Sequence, residues 1–143
     1  MRNVKGNSSC LCELCGKIYY MNTLLWIGQV FLAIVFIFSG SNKAVLSEKQ
    51  LIAKGQTGVV GLPAIAIRFI GIIEVLGAIG IIVPWWTGIW RVLTPVTAIC
   101  FAVIMMLAAP IHYKLKEPKN VATNLTIMIV AILVAWGRAQ QMA

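Results

Sequence analysis

Charged residues are scarce in this sequence. They make up 11% of its 143 residues, whereas hydrophobic residues make up 60%. Soluble domains carry about 25% charged residues, so the composition argues against a soluble fold. The sequence also lacks a nucleophile–base signature, paired histidines at haem spacing and a Gly-rich phosphate loop. Since no self-sufficient catalytic set is visible, enzymatic activity stays open, and the sequence favours a non-enzymatic protein.

Acidic residues are the rarest charged group. The chain has four Asp and Glu residues against twelve Lys and Arg residues, which gives a formal net charge of +8. In a soluble protein this excess would raise the question of nucleic-acid binding. Here the basic residues lie almost entirely between apolar segments, where they act as topology signals and contact anionic lipids. We therefore expect the lipid bilayer, and no nucleic acid, as a partner.

Four apolar segments are long enough to cross a bilayer, which takes about 20 residues each. They cover about residues 22–41, 62–84, 88–111 and 121–137. The last three contain Gly, Ala or Thr, which favour close packing between membrane helices. We predict an all-α fold, an integral membrane four-helix bundle formed by residues 21–143.

The first long loop carries the signals of a short helix. Ser47 is placed as an N-cap with Gln50 three residues later, which is a capping-box pattern. Gly55 is a suitable C-terminal stop. We expect this helix to lie at the membrane interface with Lys49 and Lys54 toward the headgroups.

Residues 1–20 form a polar leader that precedes the first span. Its three cysteines, Cys10, Cys12 and Cys15, fall one ligand short of a structural zinc site. They are a weak candidate metal site that needs a fourth ligand from another chain, or they form one disulfide and leave one thiol. Alternatively the segment is disordered, or the start codon is assigned too early and Met21 is the first residue. No other metal site is predicted.

The distribution of lysine and tryptophan predicts the orientation of the bundle. With four spans, both long loops share one side and both termini share the other. The lysines of the loop side are Lys43, Lys49, Lys54, Lys114, Lys116 and Lys119. The tryptophans of the termini side are Trp26, Trp85, Trp86, Trp90 and Trp136. The positive-inside rule then puts both long loops in the cytoplasm and both termini outside, with the tryptophans forming an aromatic belt.

Glu74 lies near the middle of the second span. A carboxylate there costs roughly 2.5–3.5 kcal/mol unless it is paired or hydrated. Arg68 is six residues away, about 240° around the helix, so the two do not form a pair on one face. Gly71 and Ala78 share the face of Glu74 and are suited to helix packing, which directs Glu74 into the bundle.

Polar residues of all four spans map to the same half of the bundle as Glu74. The predicted intramembrane cluster contains Ser39, Lys43, Arg68, Glu74, His112 and Asn124. In one interpretation, Glu74 is held by Lys43, Arg68 or His112, and the cluster only fixes the packing. In the other, the cluster lines a pocket for a headgroup or a quinone carbonyl, or forms a proton path.

The order and spacing of these residues resemble the DoxX-like family. The matching motifs are Phe38-Ser39-Gly40-x-x-Lys43, Arg68-x-x-Gly71-x-x-Glu74-x-x-Gly77-Ala78, His112, Asn124 and Gly137-Arg138. The resemblance covers about residues 24–138 and leaves out the leader. It implies a small multi-pass protein of the bacterial inner membrane, and it makes a quinone a possible cofactor. It carries no agreed catalytic role for any of these residues.

We expect the chain to be an accessory membrane subunit of a quinone-linked redox or stress-response system. A membrane protein partner or a homo-oligomer is expected with it. The alternative is a non-enzymatic membrane assembly factor or chaperone whose polar cluster is structural. A third hypothesis is a small-solute or proton conductor, which would need an oligomer because four spans are few for a transporter.

Overall fold

The computed structural model describes residues 6–142, and it describes side chains from residue 16 onward except that of Ile18. Five α-helices and one 3₁₀ turn follow one another within these described residues. The elements are α1 (Gly6–Val45), α2 (Glu48–Ala53), the 3₁₀ turn (Thr57–Val59), α3 (Ala64–Thr87), α4 (Leu93–Lys114) and α5 (Pro118–Gln140). The side chains of Cys10, Cys12 and Cys15, the weak candidate metal ligands, lie outside the described ones.

Four of these helices are long and apolar enough to cross a membrane. The spans are Tyr19–Val45, Ala64–Thr87, Leu93–Lys114 and Pro118–Gln140. They confirm the predicted all-α membrane bundle. Helix α1 also continues back through residues 6–20, the segment interpreted as a leader, and whether that segment belongs to the mature protein stays a prediction.

Among the ends of the four spans, the start of the third differs most from its prediction, since α4 begins at Leu93 and not at residue 88. Gly88 caps the C-terminus of α3 with φ 77°, and Trp90 also has a positive φ of 54°. These left-handed conformations end one helix before the next can begin. Pro95 then lies in the first turn of α4, where its missing N–H costs no helical hydrogen bond. The Thr94-Pro95 step therefore marks the start of α4.

Helix α1 packs against α3, and α4 packs against α5. Phe36 of α1 and Phe101 of α4 stack at the centre with ring centroids 3.6 Å apart. The other large core side chains are Leu32, Ile81, Met105, Ile127 and Val134. Since lipid is as apolar as these residues, close packing stabilises the bundle more than removal from water does.

The first long loop folds over the end of the bundle. Helix α2 is the short helix predicted from Ser47 and Gln50, and the backbone N–H of Ser47 donates to Gln50 Oε1 at 3.0 Å. Leu51 of α2, Val59 of the 3₁₀ turn and Ile67 of α3 form a second buried cluster. This cluster fixes the loop against the helices, so the loop closes the space between them.

Candidate functional site

Glu74 is fully buried and forms an ion pair across the α1–α3 interface. Lys43 Nζ donates to Glu74 Oε1 at 2.6 Å. Lys43 was one of the partners expected from the sequence. Lys43 lies near the end of α1 and is 14% exposed, so the pair reaches from the bundle interior toward the loops.

Two glycines next to this pair let α1 and α3 approach closely. A Cβ on Gly71 would lie 2.7 Å from both the Gly40 carbonyl oxygen and the Ala44 nitrogen. Real side chains do not tolerate such distances to backbone atoms, so only glycine fits here. The contact brings Lys43 within reach of Glu74, and it explains why Glu74 shares its face with small residues.

A cavity of about 490 Å³ lies beside the pair, at the loop end of the bundle. This volume is within the range of about 300–1,000 Å³ that is typical of small-molecule sites. Its walls are mostly apolar, with side chains such as Phe36, Ile73 and Met105. The polar residues of the predicted cluster that line it are Ser39, Lys43, Glu74, His112 and Asn124. The structure thus gathers five of the six predicted residues around one cavity.

Three polar atoms around the cavity have no hydrogen-bond partner in the described part of the protein. They are Glu74 Oε2, Asn124 Nδ2 and Gln56 Oε1. Glu74 is fully buried and Asn124 is 9% exposed, so neither side chain is freely hydrated. A buried polar atom without a partner costs about 1–3 kcal/mol. The cavity therefore offers unused hydrogen-bonding capacity at its polar end.

The cavity reaches the outer surface between α3 and α4. These helices pack closely at their other end, where Cβ atoms on Gly77 and Gly80 would meet Phe101 and Thr97 at 2.7 and 3.0 Å. At the loop end of the bundle, the space between α3 and α4 is lined by residues of the cavity wall. Of those, Phe69, Ile73 and Leu107 are also exposed on the bundle surface. Because this surface belongs to membrane-spanning helices, the opening faces lipid.

A hydrogen-bond network holds the loop at the end of the cavity. Glu117 Oε2 lies 2.9 Å from His112 Nδ1, and it accepts from Thr57 Oγ1 at 2.5 Å and from Asn120 Nδ2 at 2.9 Å. Hydrogen bonds from Thr57, His112 and Asn120 lower the pKa of Glu117 from 4.5 to about 2. His112 and Asn120 also line the cavity, so Glu117 connects the loop to its wall.

Arg68 is the one predicted cluster residue that the structure does not bring to the cavity. Its side chain is exposed, and it makes no hydrogen bond or ion pair with any described side chain. The physical reason is the spacing already noted, since six residues turn Arg68 about 120° away from Glu74 around the axis of α3. Arg68 does not line the cavity, and its place near the start of α3 suits contact with lipid headgroups.

A second buried polar network surrounds Arg138, and the sequence did not predict it. Arg138 of α5 is fully buried, and its guanidinium donates to Gln29 Oε1, including a 2.7 Å bond from Nε. Nη1 donates to Asn22 Oδ1 and Gln141 Oε1, each at 2.6 Å. Gln29 in turn donates to the Ile81 carbonyl at 2.5 Å. No described carboxylate pairs with Arg138, so neutral amides hold its charge.

Aromatic rings complete the surroundings of Arg138. The guanidinium lies 4.3 Å from the ring centroid of Trp85 and 5.3 Å from that of Trp26. Such cation–π contacts contribute about 0.5–2 kcal/mol, more where water is excluded. The sequence pointed to this site only through the Gly137-Arg138 motif that closes the fourth span. Arg138 itself resembled a residue at the end of a span.

These observations define a class: a small helical membrane protein with a polar-ended cavity between its four spans. The chain belongs to the DoxX-like family, whose model matches residues 27–134. The match confirms the resemblance seen in the sequence and includes every residue that lines the cavity. No curated protein and no solved structure matches the chain.

Proposed function

We propose that this protein binds an uncharged amphipathic molecule in the cavity between its spans. The observation that carries the proposal is the combination of apolar walls with the buried Lys43–Glu74 pair at one end. Binding sites for small molecules are typically apolar with a few polar groups that fix orientation. The long apolar walls accommodate a ring or chain, and the polar end accommodates a head.

A quinone headgroup fits this donor set in part. The unpartnered Asn124 Nδ2 and the remaining N–H groups of Lys43 are donors that a carbonyl oxygen accepts. When bound, a quinone would supply electron transfer, and the protein would supply binding and orientation. We therefore propose an accessory subunit of a quinone-linked redox or stress-response system, working with a membrane partner or as a homo-oligomer.

The ligand reaches the cavity from within the bilayer. Phe69, Ile73 and Leu107 combine exposure to lipid with a place in the cavity wall. On the loop side, Gly55, Gln56, Gly58 and Val59 cover the cavity. A lipid-soluble molecule therefore has a shorter path between α3 and α4 than through the loop.

The test is titration of purified protein in detergent with a short-chain quinone, followed by calorimetry. Ala108→Trp places a large ring in the cavity, whereas Ala122→Trp places the same ring on an exposed surface away from it. We expect Ala108→Trp to weaken binding at least tenfold, and Ala122→Trp to bind like the wild type. Equal binding by all three proteins, or binding by none, would refute the proposal.

A second candidate function is a membrane assembly factor in which the ion pair is structural. The Gly40–Gly71 contact beside the pair favours it, because a buried pair at a helix crossing fixes register. In that case substitution of Glu74 lowers the amount of folded protein, while quinone binding is absent in every variant. Affinity purification from membranes would then recover a defined membrane protein that is lost with Glu74→Gln.

We also propose that the protein lies in the bacterial inner membrane with both long loops in the cytoplasm. The lysines of those loops support this orientation. In a background without the native cysteines, Lys49→Cys should react with a membrane-impermeant maleimide only after the cells are opened. Ile89→Cys, in the short turn on the other side, should react in intact cells. The reverse pattern would show the opposite orientation.

A further inference from the structure

The unpartnered atoms of the cavity define which head group it prefers, if the cavity binds an amphipathic ligand as proposed above. Two of the three, Glu74 Oε2 and Gln56 Oε1, are acceptors, and the third, Asn124 Nδ2, is a donor. Glu74 determines the preferred head group, because an ionised carboxylate accepts hydrogen bonds with both oxygens and donates with neither. Lys43 occupies Oε1, so Oε2 is left for a donor.

An oxidised quinone has no hydrogen-bond donor for Glu74 Oε2. Its two carbonyl groups only accept hydrogen bonds, so they leave Glu74 Oε2 without a partner. A carboxylate or phosphate head is a worse match, since its negative charge would lie against an oxygen of Glu74 in a low-dielectric environment. Lys43 does not compensate a second anion because Glu74 already pairs with it at 2.6 Å.

We infer that the cavity selects an uncharged amphiphile with a hydroxyl-bearing head, such as a hydroquinone, over the corresponding quinone. A hydroxyl group both donates and accepts, so one head can donate to Glu74 Oε2 and accept from Asn124 Nδ2. A ring with two hydroxyl groups also has a donor for Gln56 Oε1. The inference rests on the proposed ligand-binding function, and it assigns Glu74 and Asn124 as the residues that determine specificity.

The experiment compares three ligands that share one ring. Tetramethylhydroquinone carries two O–H donors, its dimethyl ether has them blocked, and tetramethylquinone has only carbonyl acceptors. Their affinities for the detergent-solubilised protein are measured by calorimetry without oxygen. We expect the hydroquinone to bind at least tenfold more tightly than either of the others, since hydrogen bonds to charged groups are the stronger ones.

A fourth ligand distinguishes the two kinds of molecule that carry a hydroxyl-bearing head group, a hydroquinone and a neutral hydroxylated lipid. Dioctanoylglycerol offers an aliphatic hydroxyl on an apolar body and has no aromatic ring. If it binds as tightly as the hydroquinone, the preferred ligand is a neutral hydroxylated lipid, and the inference on head chemistry still holds. If only the aromatic compound binds, the ligand is of the hydroquinone type.

Two substitutions test the assigned residues. In Glu74→Gln the amide oxygen takes the bond from Lys43, and an N–H₂ donor replaces the acceptor Oε2. We expect the preference to decrease at least fivefold or to reverse toward the quinone. Asn124→Leu removes the Nδ2 donor and leaves the Lys43–Glu74 ion pair in place. It should weaken the binding of all oxygen-bearing ligands. Thr94→Val is the matched control, because Thr94 Oγ1 is also buried without a partner but lies away from the cavity.

The outcomes separate this inference from the proposed function. If quinone, ether and hydroquinone bind with equal affinity, the cavity binds ligands but does not select a donor, and only the inference fails. An unchanged preference in folded Glu74→Gln would overturn it as well. If no compound binds to the wild-type protein, the proposed function fails and the inference falls with it.

Discussion

Lys43 Nζ lies 2.6 Å from Glu74 Oε1 where the backbones of α1 and α3 meet at Gly40 and Gly71. The ion pair and the glycine contact depend on each other. Without the close approach, Lys43 would not reach a fully buried carboxylate, and without Lys43 the carboxylate would be uncompensated. Glu74 lines the cavity, and its other carboxylate oxygen has no partner among the described residues.

Removal of Lys43 should destabilise the protein strongly. Lys43→Met leaves Glu74 buried and unpaired, for which we expect a loss of about 3–5 kcal/mol. Glu74→Gln should cost less, because Lys43 is partly exposed near the end of α1 and can extend toward the headgroups. Thermal unfolding in detergent micelles measures both effects.

The double variant Lys43→Met/Glu74→Gln serves as the control for this pair. It removes both charges, so it should be more stable than Lys43→Met alone. If the double variant loses the sum of both single effects, the two residues are not coupled, and the ion pair does not stabilise the α1–α3 interface.

Substitution of Gly71 should open the α1–α3 interface. The Cβ of Gly71→Ala would meet backbone atoms of Gly40 and Ala44 at 2.7 Å, so the helices must move apart. We expect a loss of about 1–3 kcal/mol, the usual cost of overpacking. Gly80→Ala is the comparison on the same helix, because its nearest neighbour is the Thr97 hydroxyl at 3.0 Å, which can rotate away. Equal loss of stability in both would argue against the close backbone contact.

Arg138 should not be replaceable by lysine. Its guanidinium bonds to Gln29, Asn22 and Gln141 and stacks on Trp85, an arrangement that a single ammonium group does not reproduce. We expect Arg138→Lys to lower the stability by about 1.5–3 kcal/mol in thermal unfolding. The exposed Arg91 also lies near Trp85, and Arg91→Lys should leave the melting temperature unchanged. A neutral effect of Arg138→Lys would contradict the network.

Acid should release the loop that Glu117 holds. Its pKa is lowered from 4.5 to about 2, so its contribution to stability is fully present above pH 4.5 and is lost as the pH falls toward 2. At pH 7 the Glu117→Gln variant should be less stable than the wild type. Below pH 4.5 its stability should change less with pH than that of the wild type. Hydrogen exchange of residues 55–60 at pH 3 and pH 6 measures the release. Equal protection at both pH values in the wild type would refute the prediction.

Helical periodicity explains how much of this fold the sequence predicted. The face of α3 that contains Glu74 was assigned from spacing alone, and Glu74 lies inside the bundle. Spacing also excluded Arg68 as a same-face partner of Glu74, yet Arg68 was still placed in the cluster. Arg68 was included in the cluster because of its depth in the membrane, whereas rotation about the helix axis decides which side chains face the cavity.

Contacts between helices could not be predicted in the same way. The choice of Lys43 over His112 as the partner of Glu74 depends on the crossing at Gly40 and Gly71, which requires the relative rotation of two helices. His112 instead bonds to Glu117, a loop residue whose position depends on how α4 and α5 are joined. The part of the loop that covers the cavity has no periodic pattern, so nothing in its sequence indicated that role.

The central claim, that the polar cluster lines a cavity for a ligand, is tested most directly by mapping where a ligand attaches. A photoreactive short-chain quinone is bound to the purified protein, activated, and its adducts are located by mass spectrometry. We predict adducts on cavity residues such as Phe36, Ile73 and Met105, and competition by unlabelled hydroquinone. Adducts spread over exposed residues such as Ile79 and Ile129, without competition, would contradict the account.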